Sequence, residues 1–240
     1  MARRKGRVKD KWRETEEKFQ LIKKLIKKND PLIIEIGAHF GEDTLRLLET
    51  FPNAEIHCFE PDSRSYSIFE KVVNNNRVKL YDFALSNKEG KAQLFRSFSD
   101  EKIEIVPEKY DFISLEEYIH EKLDGSGASS LKTGFSDILS EQYYVNTQRF
   151  DTWCTDNQIG EIDFVWIDVQ GAERDVINGM GACIKYISYI WMEYGETEYI
   201  DAMTRNESIN LLEEKNFKLL NDLSSSETKG DLVFQNNNIS

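Results

Sequence analysis

The stretch that most restricts the fold is Pro31 to Thr44, Pro-Leu-Ile-Ile-Glu-Ile-Gly-Ala-His-Phe-Gly-Glu-Asp-Thr. Leu32, Ile33, Ile34 and Ile36 form a short apolar run, the pattern of a central parallel strand covered by helices on both faces. Gly37 and Gly41 follow at once and let the backbone bend sharply and approach a ligand closely. From Glu42 to Glu49 the apolar positions Leu45 and Leu48 recur at helical spacing. The segment therefore predicts strand, glycine turn and helix, with the first helical amides aimed at whatever rests over the glycines. Such a turn also occurs without a ligand, and alone it is a weak signal.

Glu60 adds to it. It follows a second apolar run, Glu55-Ile-His-Cys-Phe, and stands 19 residues past Gly41, where a strand-end carboxylate can accept ribose hydroxyls. The spacing Gly37-x-x-x-Gly41 departs from the Gly-x-Gly-x-x-Gly pattern that cradles a pyrophosphate, so a nicotinamide cofactor fits less well. Pro61 stops this strand, and Arg64 to Asn74 reads as its crossover helix, with Tyr66, Phe69, Val72 and Val73 inward. Val78 to Leu85 reads as one strand, Asn87 to Gly90 as a turn, and Lys91 to Phe95 as a further strand. Residues 97–131 read as an insertion ending in Gly125-Ser-Gly-Ala-Ser-Ser-Leu, too rich in glycine and serine for regular structure and expected to be mobile. Tyr143 to Phe150 is strand-like, and Asp151 starts a short helix with Trp153. Phe164 to Asp168 and Tyr189 to Glu193 are apolar strands that each finish on a carboxylate. Ser208 to Lys215 is helical, and Phe217 to Leu220 with Asp231 to Phe234 suggests a closing antiparallel hairpin.

This alternation predicts an α/β fold. The sheet is expected to be Rossmann-like, mostly parallel and seven-stranded, with helices on both faces and a C-terminal antiparallel hairpin. At 240 residues and 40% hydrophobic, with four prolines, the chain suits one domain over 31–240. Residues 1–30 then form a basic helical extension. Residues 1–28 hold twelve Lys or Arg against four acids, a charge of +8, so with a net −12 the remainder carries −20. An acidic body should repel nucleic acid. The basic arm, with Trp12, Phe19, Ile22 and Ile26 in an apolar stripe, either packs on the sheet or makes a peripheral contact with an anionic membrane. No stretch approaches the roughly 20 apolar residues of a membrane span. Cys58, Cys154 and Cys183 are odd in number and unpatterned. They read as reduced thiols in a cytoplasmic protein, with neither a zinc site nor a disulfide framework.

The turn at Glu35 to Gly41, the acid Glu60 and the later Asp163-Phe-Val-Trp-Ile-Asp-Val-Gln-Gly-Ala-Glu-Arg together resemble the class I S-adenosylmethionine-dependent methyltransferases, and within them the FkbM family, over about Leu32 to Phe234. The resemblance implies S-adenosylmethionine as donor, held by Glu35, Gly37, Ala38, His39, Gly41, Thr44, Glu60, Pro61 and Asp168. It places Asp82, Phe83 and Ala84 along the adenine. Asp168, Gly171 and Glu173 match the family's Asp-x-x-Gly-x-Glu motif, with Gln170 inside it. Ser129, Ser130, Gln170, Glu193 and Tyr194 fall on the acceptor side. Trp166 stands where many members carry a lysine, and His39 where a small polar residue is commoner.

The implied reaction is O-methylation, most often of a sugar hydroxyl in a glycan or glycosylated metabolite. An alcohol is too weak an acid to ionise at neutral pH, so a carboxylate, a histidine or a metal must help. Asp168 and Glu193 are the carboxylates at adjacent strand ends. Either is a candidate base, hydroxyl binder or ligand to Mg²⁺ or Mn²⁺, and the sequence does not decide. Two alternatives stay open: an NAD(P)-dependent oxidoreductase on a similar sheet, which the missing Gly-x-Gly and Tyr-x-x-x-Lys disfavour, and a non-catalytic binding module, which the intact Glu35, Gly37, Gly41, Glu60 and Asp168 disfavour.

Overall fold

The computed structural model describes residues 16–98, 128–133, 139–196, 199–224 and 226–239. Trp12 and most of the expected insertion, residues 99–127, lie outside them. A first helix, α1, covers residues 16–25. It is followed by β1 (Leu32–Ile36), α2 (Glu42–Thr50), β2 (Glu55–Phe59), α3 (Ser63–Val72), β3 (Val78–Tyr81), β4 (Ala84–Ser86) and β5 (Gly90–Phe98). The rest is β6 (Leu139–Arg149), α4 (Phe150–Asp156), β7 (Ile162–Ile167), α5 (Glu173–Gly179), a 3-10 turn (Gly181–Tyr186), β8 (Ile187–Gly195), α6 (Arg205–Glu214), β9 (Phe217–Ser224) and β10 (Lys229–Asn236).

Seven strands make the main sheet in the order β3-β2-β1-β7-β8-β10-β9. The first five are parallel, and β10 inserts antiparallel between β8 and β9. Ile36 pairs with Phe59 on one side and Ile167 on the other, and Ile167 pairs with Met192. The carboxyl ends of β1, β2, β7 and β8 therefore stand abreast, the place where an open α/β sheet holds its ligands.

Side chains alternate cleanly across this sheet. Ile34, Ile36, Val165, Ile167, Ile190 and Met192 face α4 and α5, where Trp153, Val176 and Ile177 cover them. Ile33, Phe164, Trp166, Trp191 and Val233 face the other way, against α1, α2 and α3. Phe19, Ile22 and Ile26 of the basic segment are buried in this second layer. Burying each is worth about 1.5–3 kcal/mol, enough to dock a helix whose lysines remain at the surface. Lys18 pairs with Asp231 at 2.7 Å and Lys28 with Asp163 at 3.1 Å. Three of the four residues of the apolar stripe, Phe19, Ile22 and Ile26, thus lie in the core. Trp166, at the position of the family's lysine, stacks on Trp191 with ring centroids 5.3 Å apart. Among the described residues no helix is long and apolar enough to cross a membrane.

Two expectations need correcting. Val78 to Leu85 is not one strand: β3 stays in the main sheet, while β4 leaves it to pair with β6 in a second sheet of order β4-β6-β5. The break falls at Asp82-Phe83, where the Phe83 ring meets Phe59 and Tyr81 edge-on and turns the chain over the sheet end. Ser129 to Leu131 is no free loop either. Ser130 is buried and exchanges two backbone hydrogen bonds with Phe95 of β5, at 2.8 and 3.1 Å.

Candidate active site

The turn after β1 forms as the glycines require. Gly37 has φ +90°, and a Cβ there would lie 1.8 Å from the carbonyl oxygen of Asp168. Only hydrogen fits where the β1 turn presses on the end of β7. His39 also has a left-handed backbone, φ +49°. Its amide donates to Oε2 of Glu60 at 2.9 Å, while Oε1 of Glu60 accepts from the amide of Asp62 at 2.8 Å. Glu60 is therefore bound to the two loops it joins. Burial pushes its carboxyl up to about 7, and the two amides only partly offset this. Further hydroxyl donors would favour the charged form, so this carboxylate fits a vicinal diol such as a ribose. Ala38 is buried beside it, Pro61 and Phe83 are half-buried, Ala84 is buried and Asp82 is exposed. The His39 ring stacks on Phe40 and places Nδ1 3.3 Å from Glu42.

Glu35 and Thr44 lie beneath the turn rather than beside it. Alternation puts Glu35 on the α2 face, where Oε2 accepts from the Thr44 hydroxyl at 2.5 Å and from the Cys58 thiol at 3.6 Å. Both residues are buried. Burial, then the nearby Asp43, raises the Glu35 carboxyl to about 8.

Asp168 and Glu193 do converge. They follow the paired residues Ile167 and Met192. Gln170 links them, its Nε2 donating to Oδ1 of Asp168 at 2.5 Å and to Oε2 of Glu193 at 3.2 Å. Burial and the adjacent Glu193 push the Asp168 carboxyl well above the usual carboxylate range. Glu193 has a cation of its own, Lys229, with Nζ 3.1 Å from Oε1. Glu173 accepts from the amide of Gly171 at 3.0 Å and closes the loop beneath. Tyr194 alternates away into the core, where its hydroxyl meets that of Ser224 at 2.9 Å. The two serines part company: Ser130 Oγ donates to the carbonyl of Gln170 at 2.5 Å, whereas Ser129 Oγ donates to Oδ2 of Asp62 at 3.1 Å. Among the described residues no group of three His, Cys, Asp or Glu side chains is placed to hold a metal ion.

Several participants carry no mark that singles them out in the sequence. Asp62 caps α3 through the amide of Arg64 and is gripped by the guanidinium groups of Arg64 and Arg96, at 2.7 and 3.2 Å. An Asp after Pro61 is a readable cap, but its arginine partner on β5 is not. Lys229, the first residue of β10, and Tyr199, between β8 and α6, come from other parts of the chain. Tyr199 donates toward Ala128 O and Gln170 Oε1, at 3.0 and 3.1 Å.

The chain matches the methyltransferase FkbM domain over residues 35–219. It is 31% identical over 186 residues to the 2-O-methyltransferase NoeI of Sinorhizobium fredii, covering 74% of this chain and 68% of that protein. It is 26% identical to the methyltransferase sdnD of Sordaria araneosa over 63% of this chain and 61% of that one, so it spans less than two thirds of that relative. Among solved structures it is similar to M. capricolum TrmK in complex with S-adenosyl-homocysteine, with a TM-score of 0.44 and 12% identity over 92% of this chain and 68% of that one. The strand-turn-helix at Gly37, the acid at Glu60 and the carboxylates at two adjacent strand ends are the parts that the family match spans, and the chain belongs to the FkbM methyltransferases, which depend on S-adenosylmethionine.

Proposed function

We propose that the acceptor is a sugar hydroxyl, in a glycan or glycosylated metabolite, and that Glu193 removes its proton beside Asp168. The observation that carries this reading is the carboxyl pair bridged by Gln170 at the ends of β7 and β8. Glu193 lies 3.1 Å from Lys229 and points at the same Gln170 amide, whereas burial and the adjacent Glu193 push the Asp168 carboxyl well above the usual carboxylate range, so that of the two acids Glu193 is assigned the proton-accepting role. A relative that methylates an oxygen numbered 2 supports a hydroxyl acceptor. The donor supplies an electrophilic methyl group on a sulfonium. Around it, Gly37, Ala38 and His39 would shape the turn, Glu60 would accept the ribose hydroxyls, and Asp82, Phe83 and Ala84 would border the adenine. Orientation of acceptor against donor then supplies much of the rate. Three unpaired cysteines support a reducing compartment such as the cytoplasm.

The test is transfer of radiolabelled methyl from S-adenosylmethionine to a panel of p-nitrophenyl glycosides. Glu193→Gln and Asp168→Asn should each lower turnover by about 10²- to 10⁴-fold while the Kd for S-adenosylhomocysteine stays within about threefold of wild type. Loss of activity in EDTA with recovery in Mg²⁺ or Mn²⁺ would reassign the pair as metal ligands. Tight product binding without methylation of any glycoside would remove the sugar from this reading.

A further inference from the structure

We infer that Tyr199 is a positioning residue, which acts through Gln170 to hold the acceptor-side carboxyls in one arrangement. This rests on the reading of Asp168 and Glu193 as the acceptor site. Gln170 is the most constrained residue of the loop after β7. Its backbone is left-handed, φ +53°, a conformation that a residue with a side chain keeps only when its surroundings fix it. Its carbonyl accepts from Ser130 and its Nε2 donates to both carboxyls. What remains is Oε1, which accepts from the Tyr199 hydroxyl at 3.1 Å.

That contact has a directional consequence. An amide has donors at one end and an acceptor at the other. Turning it over would set Oε1 against two carboxyls. The single phenol proton lies between Oε1, at 3.1 Å, and Ala128 O, at 3.0 Å, and the share it gives Oε1 holds the amide plane at its second end. Without it, the side chain keeps only its contacts to the carboxyls and regains torsional freedom about its terminal bond. Tyr199 is itself firmly seated. It is buried, and its ring lies so close over Gly171 that a Cβ there would be 2.6 Å from the Tyr199 Cβ. The amide of its neighbour Ile200 donates to Thr133 O at 2.8 Å, and the phenol also points at Ala128 O, 3.0 Å away. Three stretches remote in sequence, 128–133, 168–171 and 199–200, thus meet on one glutamine. This also gives Gly171 of the Asp-x-x-Gly-x-Glu motif a reason to be glycine: φ +97° and a ring where a side chain would go.

Tyr199→Phe keeps the ring against Gly171 and removes only the hydroxyl. In uniformly ¹⁵N-labelled protein the Gln170 side-chain amide is identified by its absence in Gln170→Glu. Its protons should exchange with solvent about tenfold faster or more in Tyr199→Phe than in wild type, the equivalent of one lost hydrogen bond. The affinity for S-adenosylhomocysteine should stay within about twofold. With a glycoside acceptor, kcat should fall about tenfold at unchanged KM for the donor. In the Gln170→Leu background Tyr199→Phe should have no further effect, because the group it acts through is gone. Unchanged amide exchange, or a loss in kcat that adds fully to that of Gln170→Leu, overturns the inference. Should wild type methylate no glycoside, the sugar reading fails, and the exchange measurement still decides the role of Tyr199.

Discussion

The sides that we propose for the donor and for the acceptor are built in different ways. Most of the proposed donor side comes from one continuous piece of chain, Leu32 to Asp62, joined at the adenine by Asp82 to Ala84, and its strand, turn, helix and second strand bond to each other locally: Gly37 and Ala38 amides to Phe59 O, His39 to Glu60, Thr44 to Glu35. The proposed acceptor side is put together from Ser130, Gln170, Glu193, Tyr199 and Lys229, each on a different segment and together spread over about a hundred residues. The first arrangement suits a group that is the same for every member of a family. The second can change its acceptor when any one of several loops changes, without disturbing the donor.

The two sides touch at Gly37, and the largest effect on stability is expected there. In Gly37→Ala the new methyl would be placed 1.8 Å from the Asp168 carbonyl, with backbone on both sides and an unfavourable φ. Neither strand end can yield without breaking the bond from Asp168 N to Ile36 O. The cost should exceed about 3 kcal/mol, seen as loss of soluble protein or a large fall in the urea midpoint. A variant as stable as wild type would mean that the two halves of the cleft are not rigidly joined.

The same contrast explains what could be read from the sequence. Periodicity, two glycines and a strand-end acid sufficed for β1, α2 and β2, because the hydrogen bonds that shape the turn, from Gly37 and Ala38 to Phe59, His39 to Glu60 and Thr44 to Glu35, are made within about thirty residues. The adjacency of Asp168 and Glu193 was also legible, since parallel strands carry their ends side by side. Tyr199 was not, because an isolated tyrosine between Glu198 and Ile200 has no period and no motif. Tyr194, by contrast, follows from alternation: one residue past Glu193 on β8, it turns to the opposite face and into the core. The division of Val78 to Leu85 between two sheets was hidden for a related reason: both halves are apolar, and only the packing of Phe83 separates them.

A middle-sized effect is expected at Glu60, which can be a ligand-binding acid, a clamp between two loops, or both. Glu60→Ala removes acceptors from the amides of His39 and Asp62, so the free protein should lose about 1–3 kcal/mol. If the carboxylate also holds ribose hydroxyls, the Kd for S-adenosylhomocysteine should rise about tenfold or more, and the shift in Tm that the ligand produces should shrink accordingly. Calorimetric titration separates the two contributions. A less stable protein with unchanged affinity would make Glu60 a clamp only, and the donor side would then be held by backbone alone.

The smallest effect on the donor is expected at Glu35, although the motif gives it as much weight as Gly37. Its carboxyl titrates near 8 in the folded protein, against an ordinary value of 4.5, chiefly because it is buried. Below pH 4.5 it is protonated in both states and contributes no pH dependence. Between 4.5 and about 8 the unfolded chain releases the proton while the folded protein keeps it, so stability falls as pH rises. The slope from this one group approaches about 1.4 kcal/mol per pH unit, and it levels off above the folded value. Glu60 and Glu173, each raised to about 7, bend the curve in the same direction, so the difference between two proteins is the useful quantity. Glu35→Gln keeps an acceptor for the Thr44 hydroxyl and removes the ionisation. Its stability relative to wild type should therefore increase steadily from pH 5 to pH 8 in urea titrations, while the affinity for S-adenosylhomocysteine stays within about twofold. A gap in stability that does not vary with pH would mean that Glu35 ionises as freely in the folded protein as in the unfolded chain. A large loss of affinity would move Glu35 from beneath the turn to its ligand side, and the donor site would then extend one layer deeper than its hydrogen bonds indicate.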